Sequence, residues 1–209
     1  MRKKPVCIYV DDSNIYIGAQ TIAGKNHEDT HAMRLAFDHF LFLITAGTMT
    51  FDELVWGGSM PPETEAVWES IRKQGIEPEL IQRQSIEGEF NTVDQAIQLM
   101  MYRHMRKHRD SPGTIVLCTG DGAGYQHEKG FLYDITGFIE DGWDIVLYSW
   151  DIICHKQLKA FAREHGQYIK LEDHYASITF IKHGRHASPV KIKKPRTGKK
   201  LNSDMPGGE

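Results

Sequence analysis

The chain has 209 residues, of which 40% are hydrophobic and 25% are charged, a composition typical of a globular protein with one well-buried core. No apolar run approaches the roughly 18 residues that a membrane span needs, and the apolar run behind the N-terminal basic residues is too short for a signal peptide. Three scattered cysteines give no disulfide framework, so we expect a cytoplasmic protein in a reducing compartment.

The net charge of −3 conceals a basic C-terminal tail. Residues 185–209 carry seven Lys and Arg against two acids, giving +5, so by difference the rest of the chain carries −8. The tail is also rich in proline and glycine, which predicts an extended, flexible segment. We therefore expect one domain over residues 1–183 and a basic tail over 184–209. That tail is either a solubilising terminus or an arm that holds a nucleic-acid backbone.

Strand and helix patterns alternate along the chain. Short apolar runs predict strands at residues 6–10, 51–56, 76–81, 114–118, 144–148 and 168–171, with an edge strand at 177–181. Helical spacing and capping signals predict helices at residues 13–20, 32–45, 61–74, 91–107, 131–141 and 151–165. This alternation predicts a three-layer α/β/α sandwich with a mainly parallel central sheet.

Two of the predicted strands end in acids. The first strand runs into Asp11-Asp12-Ser13-Asn14, and the fourth runs into Thr119-Gly120-Asp121-Gly122. Ligands bind at the carboxyl ends of strands in an open α/β sheet, and neighbouring ends would put Asp11 and Asp121 at one edge. Carboxylates so placed repel each other unless a cation lies between them, and hard divalent ions prefer oxygen ligands. The sequence therefore predicts a metal-dependent site.

Each acid also has a structural interpretation. Asp11 could cap the helix that follows the first strand. Asp94 could be the third residue of a helix capped by Asn91, where a carboxylate favours the helix dipole. Asp121 could belong to a tight glycine-rich turn. These alternatives compete with the metal site at every position.

Two further patterns point to other ligands. The alternate glycines that begin at Gly120 are also typical of a dinucleotide-binding loop. However, the last glycine of that fingerprint is missing, and Asp121 would repel a pyrophosphate. His104 and His108 lie among several cations at the end of a predicted helix. They either complement the helix dipole or contact a phosphate.

Together these positions resemble the NYN domains of the PIN-like nuclease superfamily. The likeness rests on a strand ending in Asp11-x-x-Asn14, a helix opening with Val-Asp94 and a strand ending in Thr-Gly-Asp121-Gly, and it spans roughly residues 5–175. The resemblance implies a PIN-like fold and a Mg²⁺- or Mn²⁺-dependent ribonuclease. Asp11, Asp94 and Asp121 would be its catalytic metal ligands, and Asn14 would orient substrate or a ligand.

The sequence departs from this family pattern at two positions. Many relatives have a second acid two residues after the one matching Asp121, where this chain has Ala123, and another about six residues beyond Asp94, where it has Met100. Asp12 or Asp134 could restore the missing charge. Without such a replacement, the site would hold one metal weakly or bind RNA without cutting it.

The leading hypothesis is hydrolysis of RNA phosphodiester bonds, with single-stranded or looped RNA as the partner. Three further residues could contact substrate, namely Asp12, His127 and Lys129. Three aromatic residues could stack an unpaired base or belong to the core, namely Tyr16, Tyr125 and Trp150. The alternatives are a non-catalytic RNA-binding module on the same fold and a metal-dependent phosphatase. A homo-oligomer is compatible with each.

Overall fold

The computed structural model describes residues 4–60, 65–82, 90–122 and 129–192. Its strands are β1 (Val6–Asp11), β2 (Met33–Leu35), β3 (Glu53–Met60), β4 (Glu79–Gln82), β5 (Thr114–Cys118), β6 (Asp144–Ser149), β7 (Gln167–Lys170) and β8 (Thr179–Ile181). Its α-helices are α1 (Asp12–Lys25), α2 (Phe37–Ile44), α3 (Glu65–Arg72), α4 (Phe90–Lys107), α5 (Gly130–Glu140), α6 (Lys156–His165) and α7 (Tyr175–Ile178).

The centre of the fold is a six-stranded sheet in the order β4-β3-β1-β5-β6-β7, with every neighbouring pair parallel. From β1 the chain first builds the sheet outward on one side through β3 and β4. It then returns to place β5, β6 and β7 on the other side. The strand order therefore reverses between β1 and β5, and in such sheets ligands bind in the crevice outside the strand ends at this point.

Helices cover both faces of the sheet, which confirms the predicted three-layer α/β/α sandwich. Alternate residues of a strand point to opposite faces. Accordingly, Ile8 and Val10 join the core under α1, α2 and α3, whereas Cys7 and Tyr9 join the core under α4, α5 and α6. The apolar runs of β1 and β5 are continuous because both faces are buried.

Several stretches differ from the sequence prediction. β3 begins at Glu53 and runs on to Met60 rather than ending at residue 56, β4 begins at Glu79 rather than at residue 76, and α1 continues to Lys25 rather than ending at residue 20. Residues 32–45 are not one helix, because Met33–Leu35 forms β2 and pairs antiparallel with β8. β8 is consequently not an edge strand of the main sheet. Residues 151–154 form a turn, so α6 begins only at Lys156. α4 begins at Phe90, which places Asn91 inside the helix rather than at its N-cap.

The C-terminal tail is packed against the domain as far as Ile192. Val190 and Ile192 pack on the core under α1 and α2, and the Ser188 amide donates to the Ala176 carbonyl. The packed chain thus extends past the boundary predicted at residue 183, and residues 193–209 lie outside the described part. All three cysteines are free and buried. None of the helices described here is both long and apolar enough to cross a membrane.

Candidate active site

Asp11 ends β1 and is 6% exposed. Its Oδ1 accepts a hydrogen bond from the Asn14 amide (3.1 Å), so it caps α1 as the structural interpretation expected. Its Oδ2 accepts one from the Thr119 hydroxyl (2.9 Å), which ties the end of β1 to the end of β5. Burial raises the pKa of Asp11 to about 6, aided by the charge of Asp121 and opposed by these donors.

Asp94 lies on α4, which packs on the sheet beside the same strand ends. Asp11 is paired in register with Gly57 of β3. A side chain on Gly57 would clash with Val93 and Ile97, since its Cβ would lie 2.7 Å from Ile97 Cδ1 and 3.2 Å from Val93 Cγ1. Glycine at this position therefore lets α4 lie close on the sheet and places Asp94 beside the end of β1.

The three acids act on one another electrostatically. The pKa of Asp94 is raised to about 8, first by burial and then by the charges of Asp11 and Asp121 and a hydrogen bond with the Asp121 side chain. Two carboxyl groups that share a hydrogen bond must share a proton. The structure therefore brings together the three aspartates that the sequence singled out.

The loop after β5 is held from both sides. The Gly120 amide donates to Asn14 Oδ1 (2.7 Å), and the Gly120 carbonyl accepts from the His155 amide (2.9 Å). A Cβ on Gly122 would lie 2.8 Å from the His155 ring, so this glycine serves close packing rather than a tight turn. Asn14 thus fixes the backbone next to Asp121, and its contact with substrate stays a prediction.

The other predicted substrate residues in the described part of the chain are Asp12 and Lys129. Asp12 accepts a hydrogen bond from Trp56 Nε1 (2.9 Å) on the α1 side of the sheet, and burial raises its pKa to about 6. Lys129 is exposed just before α5. His127 and Ala123 lie outside the described residues, as does Tyr125.

Neither of the proposed replacements supplies a fourth acid to the cluster. Asp134 is buried on α5 and accepts hydrogen bonds from Gln98 and from the Tyr102 hydroxyl (2.8 Å). The charges that raise the pKa of Asp94 are those of Asp11 and Asp121. Met100, at the position of the other missing acid, packs against the core under α4.

Two other groups of candidate residues have partners within the fold. His104 and His108 do not line the strand ends, because both lie against Glu53 at the start of β3, with Nε2 to carboxylate distances of 3.4 and 3.3 Å. Trp150 is fully buried and donates from Nε1 to the Ile15 carbonyl (2.8 Å), so it belongs to the core and cannot stack a base.

Two residues near the cluster were not predicted from the sequence. Ser149 ends β6 as Asp11 ends β1, and a Cβ on Gly120 would lie 3.0 Å from its Oγ. Within the described residues, this buried hydroxyl makes no hydrogen bond to another nitrogen or oxygen atom. A polar residue closing an apolar strand was the signal that could have found it. His155, beside Gly122, carries no such local signal.

As they stand, the side chains are not arranged as a chelate. In the described part of the chain, no group of three or more His, Cys, Asp or Glu residues could hold a metal ion. The donor chemistry nevertheless fits a hard cation, because the Asp94 and Asp121 side chains share a hydrogen bond, and burial and the neighbouring charges raise the pKa of Asp94. Mg²⁺ is commonly held by one or two carboxylates, with waters and substrate phosphates completing its shell.

The comparisons with known proteins support the fold alone. No family model matches the chain, and no curated protein matches it. A crystal structure of a protein of unknown function from Vibrio parahaemolyticus is similar, with 16% sequence identity and a TM-score of 0.56. The match covers 83% of this chain and 96% of that one.

Proposed function

We propose that this protein is a divalent-metal-dependent ribonuclease of the PIN-like NYN type. The observation that carries the proposal is the mutual electrostatic influence of Asp11, Asp94 and Asp121 at the point where the strand order reverses. Placing three like charges beside one another destabilises a fold, so their presence favours a functional role. A cation and an RNA phosphate would together offset that cost.

Asp94 and Asp121 are the residues that would hold the ion. A bound Mg²⁺ or Mn²⁺ would supply a water of lowered pKa and neutralise charge developing on the phosphate. Asp11, hydrogen-bonded through both oxygens, would keep its position and add negative potential behind the pair. Asn14 and His155 would keep the backbone at Gly120 fixed, and with it the approach of Asp121.

A non-catalytic RNA-binding module is the second candidate. It is favoured by the absence of a chelating group among the described residues and by Met100 and Ala123 in place of family acids. A phosphatase acting on small esters is a third reading that uses the same acids.

Incubation of labelled RNA with Mg²⁺, Mn²⁺ or chelator tests the proposal. We expect cleavage only with metal, and a loss on the order of 10²–10³-fold in Asp121→Asn, with RNA affinity retained. Asp110→Asn is the matched control, because Asp110 is exposed beyond the far end of α4. If the wild type binds RNA but forms no cleavage products with any of the metals, the protein is a non-catalytic RNA-binding module. Faster turnover of a chromogenic phosphate ester than of RNA would indicate the phosphatase.

A further inference from the structure

A groove opens on the α1 side of the sheet, one residue from the acidic cluster. Its volume is about 730 Å³, and its walls come from α1, α2, α3, the small β2–β8 sheet and the start of the tail. Asp12 lies at the end nearest the cluster, directly after Asp11 in the chain. The groove therefore reaches the residue that follows the end of β1.

Basic side chains line the groove beyond Asp12. Arg34 lies on β2 and Lys182 directly follows β8, and His39 and His186 line the same groove. The acid on this stretch, Asp38, is exposed in the first turn of α2, where it complements the helix dipole. Two cations therefore share the groove with two acids, Asp12 and Asp38, and the formal charges of its lining cancel when the histidines are neutral.

Both cations retain hydrogen-bond donors for a ligand. The two hydrogen bonds of Arg34 use Nη1, to the carbonyls of His31 (2.6 Å) and Met33 (2.7 Å). They fix the guanidinium, while in the described structure Nε and Nη2 have no other acceptor. Lys182 is exposed, and among the described residues its ammonium forms no ion pair. A guanidinium held in place and an exposed lysine ammonium are both suited to phosphate contacts.

The tail wall of the groove is preorganised. Arg185, next to His186, donates from Nε to Glu28 (2.7 Å) and from Nη1 to the Thr179 carbonyl (2.8 Å). Its guanidinium also lies over the Tyr175 ring, 4.9 Å from the centroid. These contacts hold His186 against the groove before any ligand arrives, which lowers the ordering cost of binding.

We propose that this groove binds the single-stranded part of an RNA substrate that leads into the acidic cluster. Arg34 and Lys182 contact backbone phosphates, and Tyr16, one turn into α1, presents a ring for stacking a base. The volume of about 730 Å³ fits a short stretch of one strand. The assignment of RNA rests on the proposed function, whereas the phosphate contacts rest on the groove alone.

Fluorescence anisotropy with a labelled single-stranded RNA of about 12 nucleotides, in chelator so that no cleavage occurs, tests this. One lost phosphate contact lowers the slope of log affinity against log salt by about 0.7, which is about fivefold in affinity at 0.1 M salt. We expect that change in Lys182→Ala. Lys25→Ala, at the far end of α1, removes the same charge and should leave affinity and slope unchanged.

The outcomes separate the groove from the chemistry. Equal affinities for Lys182→Ala and Lys25→Ala would overturn the groove even if the wild type cuts RNA. Lys182-dependent binding by a protein that never cuts RNA would support the groove and remove the nuclease proposal. A wild type that binds no RNA, or that binds DNA of the same sequence more tightly through Lys182, would refute the assignment of RNA to the groove.

Discussion

Asp94→Asn should make the metal-free protein more stable. The carboxyl of Asp94 has its pKa raised from 3.8 to about 8, so at pH 7 the folded protein must take up a proton that the unfolded chain has released. This linkage corresponds to a ceiling of about 4 kcal/mol at pH 7. Asparagine has the same shape and needs no proton. Allowing for relaxation around the site, we expect a gain of about 2 kcal/mol.

The pH dependence has a definite sign. A carboxyl whose folded pKa is raised contributes its full stability below the unfolded pKa and loses it as the pH rises toward the folded value. The difference between Asp94→Asn and wild type should therefore be near zero at pH 4 and grow up to pH 8. Urea denaturation in chelator at several pH values measures it directly.

Added metal should reverse the order of stability. Mg²⁺ that binds only the folded wild type adds about 2.7 kcal/mol at a hundredfold excess over its dissociation constant, and Asp94→Asn should gain far less. Asp110→Asn serves as the control and should follow the wild type throughout. If Asp94→Asn is no more stable than wild type at pH 7 in chelator, the three acids do not repel one another and they do not form the proposed metal site.

Two predictions concern the framework around the site. Glu53 lies between two histidines and a lysine, and despite burial these partners lower its pKa, so Glu53→Gln should cost about 2 kcal/mol at pH 7. That cost should vanish as the pH falls through the lowered pKa, and thermal melts at pH 7 and pH 3 would show it. Gly18→Ala should cost at least about 1–3 kcal/mol, because its Cβ would lie 2.0 Å from the fully buried Trp150 ring. In the same helix Gly24→Ala meets only an ordinary contact at 3.5 Å and should be neutral or stabilising in a urea melt; equal losses at the two glycines would contradict the packing argument.

Local patterns were enough to place β5 but not the end of β3, which runs on to Met60 instead of ending at residue 56. β5 runs from Thr114 to Cys118 as predicted, because an apolar run closed by a polar residue is informative within one segment. The same patterns failed at residues 32–45. Their apolar spacing is helical, but the pairing of Met33–Leu35 with β8 depends on residues about 145 positions away.

Sequence patterns likewise predicted one part of the site and not another. Asp11 and Asp121 follow strands, and a parallel sheet brings such ends together. The nearness of Asp94 depends on Gly57, whose missing side chain admits α4, and a single sequence does not reveal that contact. His155 reaches the cluster only because the turn after β6 delays the start of α6.

The side chains of β1 point alternately to the two faces of the sheet, so the core has two separate parts. The helix that carries Asp94 packs on one face of the sheet, and the groove with Arg34 and Lys182 lies on the other. The adjacent residues Asp11 and Asp12 link the two faces along the chain. The effects of groove substitutions that change which RNA binds should therefore add to the effects of substitutions among the three aspartates. Selection could then alter the choice of target and the bond-breaking step one at a time.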